Sequence, residues 1–377
     1  MEKIKKVLLT TLLALYAAGA SAQAELMTRP AYRQQEAQSS LTIYGIIDTS
    51  VGYLSNVNGG SLVAVQGAKQ SPNFFGFTGS ENLGGGTTAF FKIEQGLFMD
   101  TGVTFPRGNY IGLSNTDLGA LSIGRQIDLS VYLTRFAGGR YANSVDTMHL
   151  GNYDGIAGRL WNSAFVYRSP DFGPFQAALY YSNGKSSSGQ NNGRIVQGLL
   201  SYTNGPVSAA LVYEGNNGVT VTPYTDLGVA SFLGQQLTAT SRVTIDKGDL
   251  LGAGASYQFG GKYNIHGLYT WNRMKNNGTD STQILATYDV GVGWDITPST
   301  LFGIGYHYTT LSGSPGDPRW HNFNIGVDYY LSKRTDIFLG GAITLARGTN
   351  VRAVMTLEQP SSTNVQGMVR AGVRHFF

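Results

Sequence analysis

The chain has no cysteine among its 377 residues, only 11 prolines, and charged side chains at just 13% of positions. Without cysteine there is no disulfide framework and no zinc–cysteine site. Charge stands at about half the ~25% usual for globular proteins. The shortfall does not signal disorder, because 42% of residues are hydrophobic and the formal net charge is only +4. Beyond the first two dozen residues there is no unbroken apolar run long enough for a membrane-spanning helix. Glycine is the excess: its 51 residues are roughly twice the average share. They lack the three-residue period of collagen.

The first residues read as an address. Lys3, Lys5 and Lys6 form a basic head, Val7 to Ala18 an apolar stretch, and Ala20-Ser21-Ala22 a small-residue cleavage site. This is the pattern of a secretory signal peptide over residues 1–22, and its apolar part is too short for a membrane anchor. Removing it takes away three lysines and Glu2, leaving a charge of +2. So weak a charge gives no reason to expect a nucleic-acid partner. An exported, cysteine-free chain with a lysine-headed leader fits a bacterial envelope. Residues 23–40 are expected to be a short periplasmic extension, and 41–377 a single domain.

That domain alternates with period two from end to end. Ile284, Ala286, Tyr288, Val290, Val292 and Trp294 share one face. Leu285, Thr287, Asp289, Gly291, Gly293 and Asp295 share the other, with Leu285 the exception to its small or acidic character. Phe323, Ile325, Val327, Tyr329 and Leu331 alternate with Asn322, Asn324, Gly326, Asp328 and Tyr330. Near the C-terminus Val365, Val369 and Val373 alternate with Gln366, Arg370 and Arg374; near the front Leu41, Ile43 and Ile47 alternate with Thr42, Tyr44 and Asp48. The pleat of a β-strand produces this alternation. The runs last about 10 to 13 residues, whereas about 5 to 6 is usual in soluble proteins and tilted bilayer-crossing strands need about 9 to 11. Aromatics stand at the strand ends, at Tyr53, Trp271, Trp294, Tyr329 and Phe377, as in interfacial girdles.

The connections alternate in length. Short ones fall at Gly84-Gly85-Gly86, Asp117 to Gly119, Ser169 to Pro174, Asn204-Gly205-Pro206, Gly260-Gly261, Thr297-Pro298-Ser299 and Ser332 to Thr335. Long polar ones fall at Ser55 to Pro72, Met99 to Pro106, Ile127 to Leu160, Asn183 to Gly193, Glu214 to Lys247, Arg273 to Ser281, Leu311 to Arg319 and Arg347 to Asn364. Seven short and eight long connections imply sixteen strands. Short turns on one side and long loops on the other mark an outer-membrane barrel. An open sheet edge is forbidden in lipid, so the sheet must close, and sixteen strands enclose a water-filled lumen. The expectation is an all-β, sixteen-stranded antiparallel transmembrane barrel in the bacterial outer membrane.

Several segments resemble the Gram-negative trimeric general porins, above all the β-proteobacterial group. SSLTIYGIIDTSVGY (Ser39 to Tyr53) is similar to that family's first strand, and GFTGSENLGGGTTAFF (Gly76 to Phe91) to its second hairpin. FPRGNYIGLSNTDLGALSIGRQ (Phe105 to Gln126) resembles the fourth and fifth strands, and Asn162 to Phe175 the sixth with its Ser-Pro turn. YLSKRT (Tyr330 to Thr335) and VRHFF (Val373 to Phe377) resemble its late motifs. Together these segments span nearly the whole domain.

The resemblance implies a homotrimer that passes ions and small hydrophilic solutes passively. It implies a third external loop, Ile127 to Leu160, folded inward to narrow the channel. Charged groups for such an eyelet are Asp128, Arg135, Arg140, Asp146, Asp154 and Arg159 on the loop. On the wall they are Arg107 first, then Arg125 and Lys92, with Arg370 and Arg374 on the inner face by alternation. Arg107 and Arg125 share parity with outward apolar neighbours, so a bulge or strand end must turn them inward. Phe74 and Thr78 stand where family members often carry a basic residue, so strong anion selectivity is not carried over. The terminal Phe377 resembles the signal read by the outer-membrane assembly machinery. Outer-membrane lipid and lipopolysaccharide are the expected surroundings.

No catalytic site, metal site or cofactor is expected. Of the five histidines, only His307 and His321, flanking a loop with Ser312, Ser314 and Asp317, come near a catalytic set. The alternatives to a general channel are a substrate-specific channel, with Tyr44, Tyr306, Tyr308 and Tyr330 lining the lumen, and an adhesin acting through its long loops.

Overall fold

The computed structural model describes residues 39–142, 144–184 and 193–377. The expected leader at 1–22, nearly all of the expected extension at 23–40, and most of the connection at 183–193 lie outside the described residues.

The ladder begins with β1 (Ser40–Val57). Two strands pair along the same edge of β1: β2 (Gly60–Gly67) against its later half and β3 (Phe74–Gly84) against its first. Next come β4 (Thr87–Leu97), β5 (Thr104–Asn115), β6 (Gly119–Ile127), β7 (Leu160–Arg168), β8 (Phe175–Ser182), β9 (Arg194–Asn204) and β10 (Val207–Asn217), each antiparallel to the last. The following long connection holds two small hairpins: β11 (Val219–Val221) with β14 (Val243–Ile245), and β12 (Ser231–Phe232) with β13 (Gln235–Gln236). The ladder resumes with β15 (Lys247–Phe259), β16 (Tyr263–Asn276), β17 (Ser281–Thr297), β18 (Thr300–Ser312), β19 (Arg319–Tyr330), β20 (Thr335–Arg347) and β21 (Val365–Phe376). Then β21 pairs back onto β1, from Ile46↔Phe376 to Leu54↔Met368. With β2 and β3 counted as one broken strand, the barrel is closed and sixteen-stranded.

The parity expected from the sequence holds. Val290, Ile325, Leu339 and Val369 stand on the exposed outer surface, while Asp289, Asn324, Asp336 and Arg370 are buried inside. Two positions differ from expectation. Tyr306 and Tyr308 face outward with exposed Ile304, against Phe323 and His321, so they do not line the lumen; Tyr44 and Tyr330 keep inner-face parity. His307 and His321 consequently lie on opposite faces of the sheet, and the proposed loop constellation does not form.

The segment 55–72, expected as a polar loop, is largely strand. Asn58 and Gly59 both take positive φ, 52° and 99°, and form a tight hairpin between β1 and β2. Asn-Gly is the pair best suited to such a turn. Residues 68–73 then leave the ladder. The Asp48 carboxylate accepts hydrogen bonds from the Gln70 and Ser71 amides at 2.5 and 2.7 Å, and Gln70 Nε2 donates to Asp328 at 2.8 Å. These partners share the inner face, so the break carries the chain across it.

Leu285 is apolar and faces inward because loops cover it. Leu227, Phe232 and Leu233 from the connection after β10, and Val351 and Val354 from the one after β20, pack with Met274, Leu285, Leu311 and Trp320 at the long-loop end.

Candidate functional site

The third long loop connects β6 to β7 and travels along the inner face. At its base the Asp128 amide donates to the Arg159 carbonyl at 2.9 Å, and Arg159 Nε to the Asp128 carboxylate at 2.7 Å. The same guanidinium binds Glu214 on β10, which also accepts from Gln197 Nε2 at 2.6 Å. The loop then runs as short 3-10 turns, Leu129–Phe136 and Gly138–Ala142. Leu129, Leu133, Phe136 and Ile156 pack against Val166, Tyr180, Ile195, Val212 and Leu268, the inner faces of β7 to β10 and of β16.

Farther on, the approach is backbone to backbone. The Gly138 amide donates to Asp289 at 2.9 Å. A Cβ on Gly305 would lie 2.5 Å from the Gly138 carbonyl, and one on Gly340 would collide with the Ala142 carbonyl. The glycine excess has a use at these points, since any side chain would push the loop off the wall.

At the far end Asp146 meets two cations, Arg370 Nη2 at 2.6 Å and Lys69 Nζ at 2.8 Å. Lys69, from the break between β2 and β3, also binds Glu358 and accepts the Val145 amide at its carbonyl. The Thr356 amide donates to the Asp146 carbonyl at 2.9 Å. On the return, buried His149 lies between Asp154 at Nδ1 and Asp289 at Nε2, 3.0 Å away. Thr270 Oγ1 donates to Asp154 at 2.8 Å. Burial opposes charge on His149, but the two acids outweigh it and push its pKa up to about 9. Asp154 is held below the usual carboxylate range: burial works against this, and the charge and hydrogen bond of His149 prevail.

The inner faces of β1, β4 and β5 carry a different cluster. Glu94 accepts from Tyr44 OH at 2.9 Å and pairs with Lys92 Nζ at 2.8 Å; Arg107 Nε stands 3.7 Å away. The Arg107 guanidinium lies over the Phe74 ring at 4.9 Å. Arg107 reaches this face through a bulge. The β4–β5 register passes from Ile93↔Asn109 to Gln95↔Pro106, so Arg107 and Gly108 together oppose Glu94.

The other named cations are placed as follows. Arg125 keeps the parity of outward Leu121 and Ile123; its Nε donates to the Pro106 carbonyl at 3.2 Å and its Nη1 to Asn162 at 2.7 Å. Arg374 binds Asp336 at 3.0 Å and Ser71 at 2.9 Å. Arg140 donates to the Arg135 carbonyl and to Tyr141 OH, both at 2.8 Å. Arg135 lies over the Tyr132 ring at 5.8 Å. Phe377 exchanges two backbone hydrogen bonds of 3.1 Å with Gly45 at the seam. Sequence reasoning did not single out Arg168, which donates to Tyr132 OH at 2.7 Å, nor Lys69 and His149 as partners.

The three loop carboxylates are thus each paired: Asp128 with Arg159, Asp146 with Lys69 and Arg370, Asp154 with His149.

A family model described as Gram-negative porin matches residues 9–350. Outer membrane porin protein 32 of Delftia acidovorans is 28% identical over 376 residues, covering 90% of this chain and 95% of the relative. An outer membrane porin protein of Bordetella pertussis is 26% identical, covering 91% and 95%. Among solved structures, an anion-selective porin from Comamonas acidovorans superposes with a TM-score of 0.71 at 23% identity, over 90% of this chain and 100% of that one. The trimer form of OmpT from Vibrio cholerae superposes at 0.67 and 13% identity, again covering 90% of this chain and 100% of that one.

Proposed function

Because the chain belongs to the Gram-negative porin family and forms an outer-membrane diffusion channel for ions and small hydrophilic solutes, we propose that its flow is narrowed between the third loop and the wall of β1, β4 and β5. Charge at this narrowing is net positive. One observation carries that reading: every carboxylate of the loop is already paired with a cation. Arg140 on the loop, Arg168 beside it, and Lys92 and Arg107 on the wall outnumber the carboxylate of Glu94 among them. Arg370, Arg374 and Arg159 are held in ion pairs and act by fixing the loop and its surroundings. Arg125, on the outward parity of β6 and tied to Asn162, stands apart from this narrowing.

Charge at a narrow point biases ion choice without tight binding, because ions keep most of their water in a wide lumen. The expected outcome is a mild preference for anions, and transport rather than catalysis. The unit is a homotrimer, as in the trimer form of the Vibrio OmpT structure. Phe377 marks the chain for the assembly machinery, and lipopolysaccharide surrounds the barrel. Planar-bilayer recording under a salt gradient tests the reading. Wild-type reversal potential should lean to anions in triple conductance steps, and Arg107→Ala should move it toward cations. An unchanged reversal potential in that variant would remove Arg107 from the narrowing.

A further inference from the structure

Between β2 and β3 the chain leaves the ladder and travels inside the barrel. Thr49 on β1 pairs with Gly67 and Ile46 with Phe74, so two residues of β1, Ile47 and Asp48, stand opposite six, 68–73. A β-bulge sets two residues against one; six against two is a segment of its own. Its anchors lie on the inner face. Asp48 Oδ2 accepts from the Gln70 and Ser71 amides, and the Asp48 backbone exchanges hydrogen bonds with the Asn73 side chain at 2.6 and 2.9 Å. Farther in, Gln70 Nε2 reaches Asp328 on β19, and Arg374 Nη1 on β21 donates to Ser71 Oγ at 2.9 Å. From β1 to β19, through β21 and β20, is roughly 14 Å at ordinary strand spacing. The segment therefore lies across the wall as a strap, with Ser71 and Asn73 buried.

Lys69 ties this strap to two other connections. Its carbonyl accepts the Val145 amide at 2.5 Å, a backbone link to the far end of the third loop. Its Nζ, 2.8 Å from Asp146 on that loop, also binds Glu358 in the connection after β20. Glu358 accepts from Gln66 Nε2 of β2 at 3.4 Å, and Gln66 Oε1 accepts from Arg370 Nη1 at 3.0 Å, while Arg370 Nη2 holds Asp146. One ammonium thus joins the first, third and last long connections. Its side chain is only 12% exposed, so salt screens the pairing weakly. Asp146 keeps Arg370 when Lys69 is replaced, so the wall retains its ion pair while the loop loses its hold on the strap.

We infer that residues 68–73 are a second inward-folded segment of the channel, and that Lys69 is a positioning residue which holds the far end of the third loop to this strap and so sets the width of the passage. The inference rests on the proposed narrowing at the third loop and adds what fixes its size. The wall cations bias which ions pass, and the strap decides how far the loop stands from them. Loosening the strap widens the passage and lets the loop fluctuate.

The test is single-channel recording of the full mature chain in planar bilayers, paired with liposome swelling in sugars of graded size. Lys69→Met should raise the conductance, add flicker and admit larger sugars. Lys69→Arg, which keeps the ion pairs, should restore the steady wild-type level. Gln70→Ala removes the tie to Asp328 without changing charge. It should raise the conductance at an unchanged reversal potential, a result that loss of a pore charge does not give. Lys69→Cys/Val145→Cys places two thiols where the backbones meet. With the thiols free, that channel should conduct above the wild-type level, and it should return to that level when a short thiol-reactive bridge joins them. Both states are read in one channel, so misfolding does not confuse the result. Wild-type conductance and sugar cut-off in both Lys69→Met and Gln70→Ala, or an enlarged current that the bridge leaves unchanged, would overturn the inference. Failure of the proposed narrowing shows separately, as an unmoved reversal potential in Arg107→Ala.

Discussion

The inner wall of this barrel has two sides that the same alternation builds and that end up chemically unlike. Along β7 to β10, inward positions hold Val166, Tyr180, Ile195 and Val212, apolar because the third loop lies on them. Along β1, β4 and β5 they hold Tyr44, Lys92, Glu94 and, through a bulge, Arg107. Parity decides which way a side chain points, and what covers it decides whether it is polar. Leu285 and Trp320 follow the first rule under their loops, just as Arg370 and Asp336 follow the second among charged partners.

The contrast can be broken most severely at the loop base. Arg159→Ala leaves Asp128 and Glu214 buried without their shared cation, and loss of one partner of a buried pair costs about 3–5 kcal/mol. The expected result is a lower melting temperature together with noisy, enlarged single-channel currents as the loop detaches. Gly340→Leu attacks the far side of the loop by overfilling the contact with Ala142, at a cost of about 1–3 kcal/mol. Conductance should rise while the far-ultraviolet dichroism of the barrel stays unchanged.

Leu285→Asn sharpens the comparison. A polar amide introduced under the apolar cover costs about 1–3 kcal/mol, whereas Thr42→Asn, at an exposed position of inner-face parity on β1, should be nearly neutral in denaturant titration.

The pH dependence comes from His149. Its folded pKa, about 9, lies above its ordinary value of 6.5. The stabilisation it gives the loop is therefore full below about pH 6.5 and is lost as pH rises through 9. Protease cleavage in the loop should be slow at about pH 6 and faster at about pH 10, and His149→Gln should flatten that difference.

Much of this was legible in the sequence. Strand number, alternation, the short-and-long order of connections and the need for a bulge at Arg107 all follow from local patterns. The Asn58-Gly59 hairpin was equally legible but was obscured by the polar residues around it. The ion pairs were not legible. Arg370 reaches Asp146 across 224 positions of chain, and Lys69 reaches Glu358 across 289. Such partners are fixed by the path of a loop inside a closed wall, which no periodicity encodes. Leu285 is the same lesson in miniature: its apolar character was visible, and the loops that explain it were not.

The central claim is that solutes pass on the side of β1, β4 and β5 and that the opposite wall is sealed by the loop. The absence of cysteine makes it directly testable by single-cysteine labelling during bilayer recording. Tyr110→Cys, on the half-buried inner face of β5, should react with a small charged methanethiosulfonate and lower the current stepwise. Val166→Cys, on the buried inner face of β7 beneath the loop, should not react. Current block at Val166→Cys with none at Tyr110→Cys would place the path on the wrong wall and contradict the account.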